Sequence, residues 1–361
     1  MTAAMDAKAQ LLDDTLLWLC SIASPIGDEK DLCDAVEERL GRLALAAPIR
    51  RYANSIVVPL TRGPGPHIAL CGHLDTVRTE NGPARIADGR CHGAGSSDMK
   101  SGLAVMIALA ETLDLQRPPC ALTLVFYAKE EGPFAENELG PVLERDPELG
   151  KVDLAVCLEP SDNRLQLGCT GSIHATITFE GRTAHSARPW EGENAITKAA
   201  AFLAEVGRIA PEEALIDGLV YRTVTTITQA RDGGRGRNVV PDRFHLNLNH
   251  RFAPTYGIEQ AQGTIRALVG DRATIEWLDL SPAALPHRNH PLVEKLIAAG
   301  VVAVERKQAW TDVARFAQRG VAAVNFGPGE NAQAHQRNES TNLALVHDGY
   351  RIVRRWLDGI A

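Results

Sequence analysis

The sequence predicts an α/β fold: a mostly parallel sheet covered by helices, carrying an inserted α+β segment built on an antiparallel sheet. Three observations predict it. In the first 160 residues, short runs that are apolar almost throughout ("HIALCG", "ALTLVFYA", "VDLAVCLE") alternate with helical patterns. Strands without a polar side belong to sheets covered on both faces. Near residue 170 the style changes to alternating stretches such as "GSIHATITFE" and "DRFHLNLNHRF", as half-exposed antiparallel strands require. After "SPAALPHRN" the first style returns. A length of 361 residues also exceeds the ~250–300 at which a single core stops growing. The expected organisation is a discontinuous domain of residues 1–171 and 287–361, interrupted by an insertion at 172–286.

Each element has a local cause. "AKAQLLDDTLLWLCSIA" places Leu11, Leu12, Leu16, Leu17 and Leu19 at a period near 3.6, and "SPIG" ends that helix. "DEKDLCDAVEERLGRL" is a second amphipathic helix opened by acids, followed by the β-rich runs "SIVVPL" and "HIALCG". "DMKSGLAVMIALAETL" is the helix leading to "ALTLVFYA", and "VDLAVCLE" is the next strand. Inside the insertion, "NAITKAAAFLAEVGRI" and "GIEQAQGTIRALVG" are helical, and "ATIEWLDL" closes it as a strand. A helix at "PLVEKLIAAGV", a strand at "VAAVNFG" and a last helix near "LVHDGYRIVRRWL" complete the larger domain.

Composition narrows the function classes. The chain is 45% hydrophobic and 23% charged with a net charge of -7, which argues against a general nucleic-acid binder. Its seven cysteines form no C-x-x-C pair and several sit among apolar neighbours, the pattern of buried thiols in a reducing compartment. The opening "MTAAMDAKAQ" has neither a basic n-region nor an apolar h-region. No uninterrupted apolar run reaches the ~18 residues of a membrane span, so a cytoplasmic protein away from membranes is expected.

In open α/β sheets ligands gather beyond the carboxyl ends of the strands, and acids and histidines collect at those points here. His73 and Asp75 follow "IALCG", Asp98 lies in "GAGSSDMKSG", Glu130 and Glu131 follow "LTLVFYAK", Glu159 follows "DLAVCL", and His335 lies beyond "VAAVNFGPG". Taken singly, each has an ordinary reading, as a helix cap for Asp98 or a solvated loop residue for the others. Taken together they are the nitrogen and carboxylate donor set of zinc or a related divalent ion. Asp98, Glu131, Glu159, His73 and His335 exceed the three protein ligands usual for one catalytic zinc, so two ions sharing Asp98 fit better. Glu130 is then free to act as a general base. Adjacent residues on an extended strand point opposite ways, so a turn is needed if both glutamates are to bind metal.

The blocks "GHLDTV", "HGAGSSDMKSG", "AKEEG", "CLEP" and the "AH" of "NAQAHQRNE" resemble, in order, the signatures of a co-catalytic metallopeptidase family that includes aminoacylases, acetylornithine deacetylases, dipeptidases and desuccinylases. The resemblance spans roughly residues 10 to 356. It implies that Asp98 bridges two zincs, with His73 and Glu159 completing one site and Glu131 and His335 the other; cobalt or manganese would be substitutes. It implies that Asp75 holds the His73 imidazole, that Glu130 carries the proton from water to the leaving amine, and that the Asp98–Met99 peptide is cis. The insertion resembles the family's smaller domain, which pairs with its twin to form a homodimer, and His185 in "GRTAHSARP" would steady the developing oxyanion.

Glutamate in "CLEP" resembles the deacylase and desuccinylase side of the family. There Asn238 in "GRNVVPD" and Arg251 in "NHRFAP" would grip substrate, and "WTDVARFAQRGVAAVNFGPG" would bring Thr311, Arg315 and the backbone at Gly327 to the substrate end. The implied substrate is N-succinyl-LL-2,6-diaminopimelate, an N-acyl amino acid with several carboxylates, for which Arg188 is a further cation. The implied products are succinate and diaminopimelate, on the route to lysine. Within the family, N-acetylornithine deacetylase, aminoacylase and carboxypeptidase activities are the alternatives. A non-catalytic metal-binding dimer would lack Glu130 or a ligand, and all are present. A metal-dependent phosphoesterase lacks a phosphate-cradling loop in the needed register.

Overall fold

The structure is a computed structural model that describes residues 2–234 and 236–360. The chain forms two compact units. One runs up to Gly168 and takes in Pro286–Lys307 and the chain from Asp312 onward; the other is Cys169–Leu285 with Gln308–Thr311. The second unit thus takes a segment that the sequence assigns to the larger domain. Local bonds account for it: the Thr170 hydroxyl donates to the Gln308 carbonyl, and Trp310 Nε1 donates to Pro282 O at 3.0 Å.

The first unit is built on an eight-stranded sheet. Its four central neighbours, Ala121–Tyr127, His67–His73, Leu154–Cys157 and Ala323–Asn325, are mutually parallel. Antiparallel Ser55–Thr61 and Arg50–Tyr52 flank one edge, and Leu165–Leu167 with Val304–Arg306 the other. In the central strand Ile68 to His73 are buried without exception, which explains why the run carries no polar alternation. The helix Lys100–Thr112 packs on that strand and on the helices Thr2–Ser21 and Leu343–Asp358. Short helices at Leu139–Arg145 and Val313–Gln318, unannounced by periodicity, pack on each other. A small three-stranded sheet of Arg85–Ala87, Arg90–His92 and Ser340–Asn342 is likewise too short to signal itself. Among the described residues no helix is long and apolar enough to cross a membrane.

The second unit holds a five-stranded antiparallel sheet, ordered Glu212–Ile216, Leu219–Asp232, Arg243–Phe252, Gly171–Glu180, Thr274–Ser281. Arg243–Phe252 alternates strictly between buried and half-buried positions after its first residue. Its inner face joins the helices Ala195–Val206 and Ile258–Val269 in a core that includes Ile177, Phe179, Phe202, Leu248, Phe252 and Ile265. The first of these helices is capped by Asn194, whose side chain accepts from Ile196 N and Thr197 N.

Leu248 is fully buried in that core. Leu248→Ala should cost about 2–5 kcal/mol, read as faster amide hydrogen exchange along Gly171–Glu180; unchanged protection would contradict the packing described.

Candidate metal centre

The strand His67–His73 delivers its last residue, His73, fully buried at the carboxyl edge of the sheet. Two residues on, the Asp75 backbone carbonyl accepts from His73 Nδ1 at 3.0 Å. A carbonyl can only accept, so the proton is fixed on Nδ1 and the Nε2 lone pair is left for a metal. That Nε2 lies 3.2 Å from Asp98 Oδ1. Where the sequence suggests that the Asp75 carboxylate aims the imidazole, the backbone carbonyl makes the hydrogen bond instead and the carboxylate stands 3.6 Å off. The carboxylate is used elsewhere: Oδ1 accepts from Glu130 N at 3.0 Å and Oδ2 from Glu131 N at 2.9 Å.

Those two bonds hold the turn on which the paired glutamates depend. Lys129 adopts a left-handed backbone with φ of 63°, which breaks the strand alternation after Ala121–Tyr127 and lets Glu130 and Glu131 face one site. Asp98 comes from the loop before the helix Lys100–Thr112, but it does not cap that helix: Met99 is the cap residue and no side chain caps it. Its carboxylate is therefore not spent on the helix and faces His73 and His335 instead. The Asp98–Met99 peptide is cis.

His335, also left-handed with φ of 61°, completes the group. Its Nε2 lies 2.9 Å from Glu131 Oε2 and 3.5 Å from Asp98 Oδ2. Donor atoms of His73, Asp98 and Glu159 all fall within 4.8 Å of one another, and so do those of Asp98, Glu131 and His335. Two triads thus share Asp98. His73, Glu130 and Glu131 also cluster within that limit, so Glu130 stands against the shared site while remaining extra to both triads.

The electrostatics point to missing positive charge. Burial, with the charge on Asp98 adding, pushes the Glu159 carboxyl up to about 8. Burial and the neighbouring Glu159 push Glu130 well above the usual carboxylate range. The Glu131 hydrogen bond raises His335 to about 9. Burial opposes a charge on His73, yet the bond to Asp98 and the charge of Glu159 carry it well above its ordinary value. Glu159 Oε1 is buried and has no hydrogen-bond partner among the described residues. A buried carboxylate oxygen left bare is costly, and a divalent ion in the first triad would satisfy it. The donor set and this bare oxygen therefore fit a dinuclear centre.

The remaining sequence-nominated residues fall into separate groups. His185, on a two-residue strand paired with Val239–Val240, accepts from Ala187 N through Nδ1. Arg188 is exposed, 3.6 Å from Glu191, and the Asn238 carbonyl accepts from Ser186 N, so these three residues sit in one loop cluster of the second unit. Arg251 is half-buried in the same unit and donates to Asn249 Oδ1. Thr311 is buried there, its hydroxyl without a partner among the described residues.

Two further nominated residues have their groups engaged within the protein. Arg315 is buried, paired with Asp312 at 2.7 Å, bonded to the Phe134 carbonyl and stacked 3.8 Å over the Phe134 ring, so its guanidinium is already engaged. Gly327 has both backbone groups bonded internally to Ser161, and a Cβ there would come within 2.3 Å of Leu158 O. It is a packing glycine beside the Glu159 turn. Gly329 is as tight: a Cβ would lie 2.1 Å from Ser97 O. One residue that sequence reasoning missed is Glu339, whose carboxylate accepts backbone bonds from the Asp98 loop. Its signal, an acid four places after His335, ends the stretch "NAQAHQRNE" but has no strand end to mark it.

Residues 69–359 match the family described as Peptidase family M20/M25/M40. A succinyl-diaminopimelate desuccinylase of Corynebacterium glutamicum is 35% identical over 371 aligned residues, covering 99% of this chain and 100% of that one. Among solved structures, an aminopeptidase from Bacillus cereus superposes with a TM-score of 0.79 at 19% identity, covering 98% of both chains. A dinuclear metal-binding peptidase from Bacillus subtilis gives 0.71 at 14% identity, again with 98% of both covered; at such identities the likeness speaks of the fold. With the sequence match spanning most of its length and the fold shared throughout, this chain belongs to peptidase family M20/M25/M40.

Proposed function

We propose that the protein is a dinuclear metal-dependent amidohydrolase that cleaves N-succinyl-LL-2,6-diaminopimelate to succinate and LL-2,6-diaminopimelate. The observation that carries this reading is the pair of donor triads sharing Asp98 beside a glutamate that belongs to neither. The substrate assignment draws on the desuccinylase relative of C. glutamicum, which aligns from end to end.

His73, Asp98 and Glu159 would hold one ion, and Asp98, Glu131 and His335 the other, with zinc our choice and cobalt or manganese as substitutes. When bound, such ions supply Lewis acidity toward the amide carbonyl and toward water. The proton traffic belongs to Glu130. Burial and Glu159 raise its affinity for a proton, which suits a group that must take one from water and release it to the leaving amine nitrogen. Asp75 keeps Glu130 in place through the backbone bond at its amide. His185 would steady the oxyanion, and Arg188, Asn238, Arg251 and Thr311 would meet the carboxylates and polar groups of the substrate.

A homodimer formed through the second unit is part of the same proposal. Supporting it are the edge strand Glu212–Ile216, which among the described residues has a neighbour on one side alone, and the exposure of Leu215 (73%) and Trp190 (75%). A cytoplasmic setting is supported by buried cysteines that are all free thiols.

Zinc-loaded protein should hydrolyse the succinyl substrate in strong preference to N-acetylornithine and N-acetylmethionine, and a chelator should abolish the rate. Faster turnover of an acetyl substrate would keep the metal chemistry and discard the substrate, and a chelator-resistant rate would discard the metal. Glu130→Gln should bind metal normally while kcat falls about 10²–10⁴-fold; a rate near that of the parent would remove Glu130 as the base. Asp75→Asn keeps one acceptor for two amides, and its affinity for divalent zinc should fall roughly 10–100-fold in competition with a chelator. An unchanged affinity would show that the Glu130–Glu131 turn stands without it.

A further inference from the structure

We propose that Glu339 is a positioning residue that sets the Asp98 carboxylate between the two donor triads, an inference that rests on the dinuclear reading above. Its carboxylate is buried, 2% exposed, and is spent wholly on the loop that carries Asp98. Oε2 accepts from Gly95 N at 2.8 Å, and Oε1 accepts from both Ser97 N and Asp98 N at 2.8 Å. The helix that follows begins at Lys100, so these amides precede it and have no turn of helix to bond to. Glu339 supplies from a distant part of the chain what a local cap would supply.

Glu339 is itself held on both sides. Its N–H donates to Asn81 Oδ1 at 2.7 Å, and its carbonyl accepts from Gly93 N at 3.1 Å. The register of the small sheet delivers it there. Ser340 pairs with His92 and Thr341 with Cys91, which brings the residue before Ser340 alongside the loop that begins at Gly93. Four residues upstream lies His335, a donor of the second triad. One short segment therefore presents His335 and anchors the loop of Asp98, two of the three donors in that triad.

The carboxylate is suited to this because bonds from N–H to a charged oxygen are stronger than neutral ones, and one side chain satisfies three donors. A glutamine at 339 offers a single oxygen, and its amino group would face an N–H donor. At least one buried amide would then lose its acceptor, and the loop would shift. A carboxylate shared by two ions tolerates such a shift poorly, because it must remain within coordination distance of both.

The test titrates metal-free full-length protein with Co²⁺, following visible absorption and bound cobalt, with the thermal midpoint of the metal-free protein measured beside it. Glu339→Gln should weaken cobalt binding roughly 10–100-fold, change the ligand-field spectrum, and lower kcat at nearly constant KM. Glu339→Asp retains the charge but is shorter by one methylene, so it should show the same changes to a smaller degree; it carries the test alone if Glu339→Gln fails to fold. Cobalt binding and a spectrum like those of the parent in the folded variant would overturn the proposal whatever the thermal midpoint, leaving Glu339 a folding residue. Asp98→Ala separates the two levels of inference. If Asp98→Ala disturbs cobalt binding and the Glu339 variants do not, positioning alone fails; if Asp98→Ala leaves cobalt binding intact, the dinuclear reading fails and takes the proposal with it.

Discussion

Crowded negative charge is the constraint on which this structure depends. Asp75, Asp98, Glu159 and Glu339 are buried around one edge of the sheet, with Glu130 and Glu131 half-buried beside them. Like charges in a medium of low polarisability repel strongly, and each has also lost its water. The protein answers in two ways. Carboxylates that shape the site are tied down by hydrogen bonds from backbone amides, as Asp75 is by Glu130 and Glu131 and Glu339 is by the Asp98 loop. Carboxylates that face the site keep oxygens in reserve, and the bare Glu159 Oε1 is the plainest of these. The first group makes the geometry and the second makes the demand for cations.

That division explains how much of the site was legible in the sequence. His73, Glu131 and Glu159 end apolar strands, and a strand end is visible in a single sequence because apolar runs stop abruptly. The structure gathers these residues with Asp98 and His335. The scaffolding carboxylates are less visible, because their partners are backbone amides far away in the chain and amides leave no mark on composition. Hence Asp75 was legible as a site residue, but not as the holder of the Glu130–Glu131 turn. Glu339 was passed over, because an acid outside any strand end gives only a weak signal.

The fold was read more completely than the contacts. Long elements with a clear period, such as Leu343–Asp358 and Arg243–Phe252, follow directly from their patterning. The short helices and the three-stranded sheet are set by tertiary pairing and carry too few residues for a period. Arg315 shows the same limit for side chains. A cation near a substrate-binding stretch suggests a hand for an anion, yet the neighbouring Asp312 and the Phe134 ring have already taken it. Gly327 shows the converse limit: its packing role rests on the atoms it lacks, which a sequence does not display.

The tight glycines carry a lesson for engineering. At Gly327 and Gly329 the backbone of one turn lies directly on the carbonyls of Leu158 and Ser97, with no room for even a methyl group. Mutational libraries intended to retune what the protein accepts will find these turns closed to variation. Diversity is better spent on the exposed positions Arg188 and Asn238, where a new side chain displaces solvent rather than the main chain. Adaptability and chemistry are in this way assigned to different stretches of the polypeptide, and a designer can alter the one without dismantling the other.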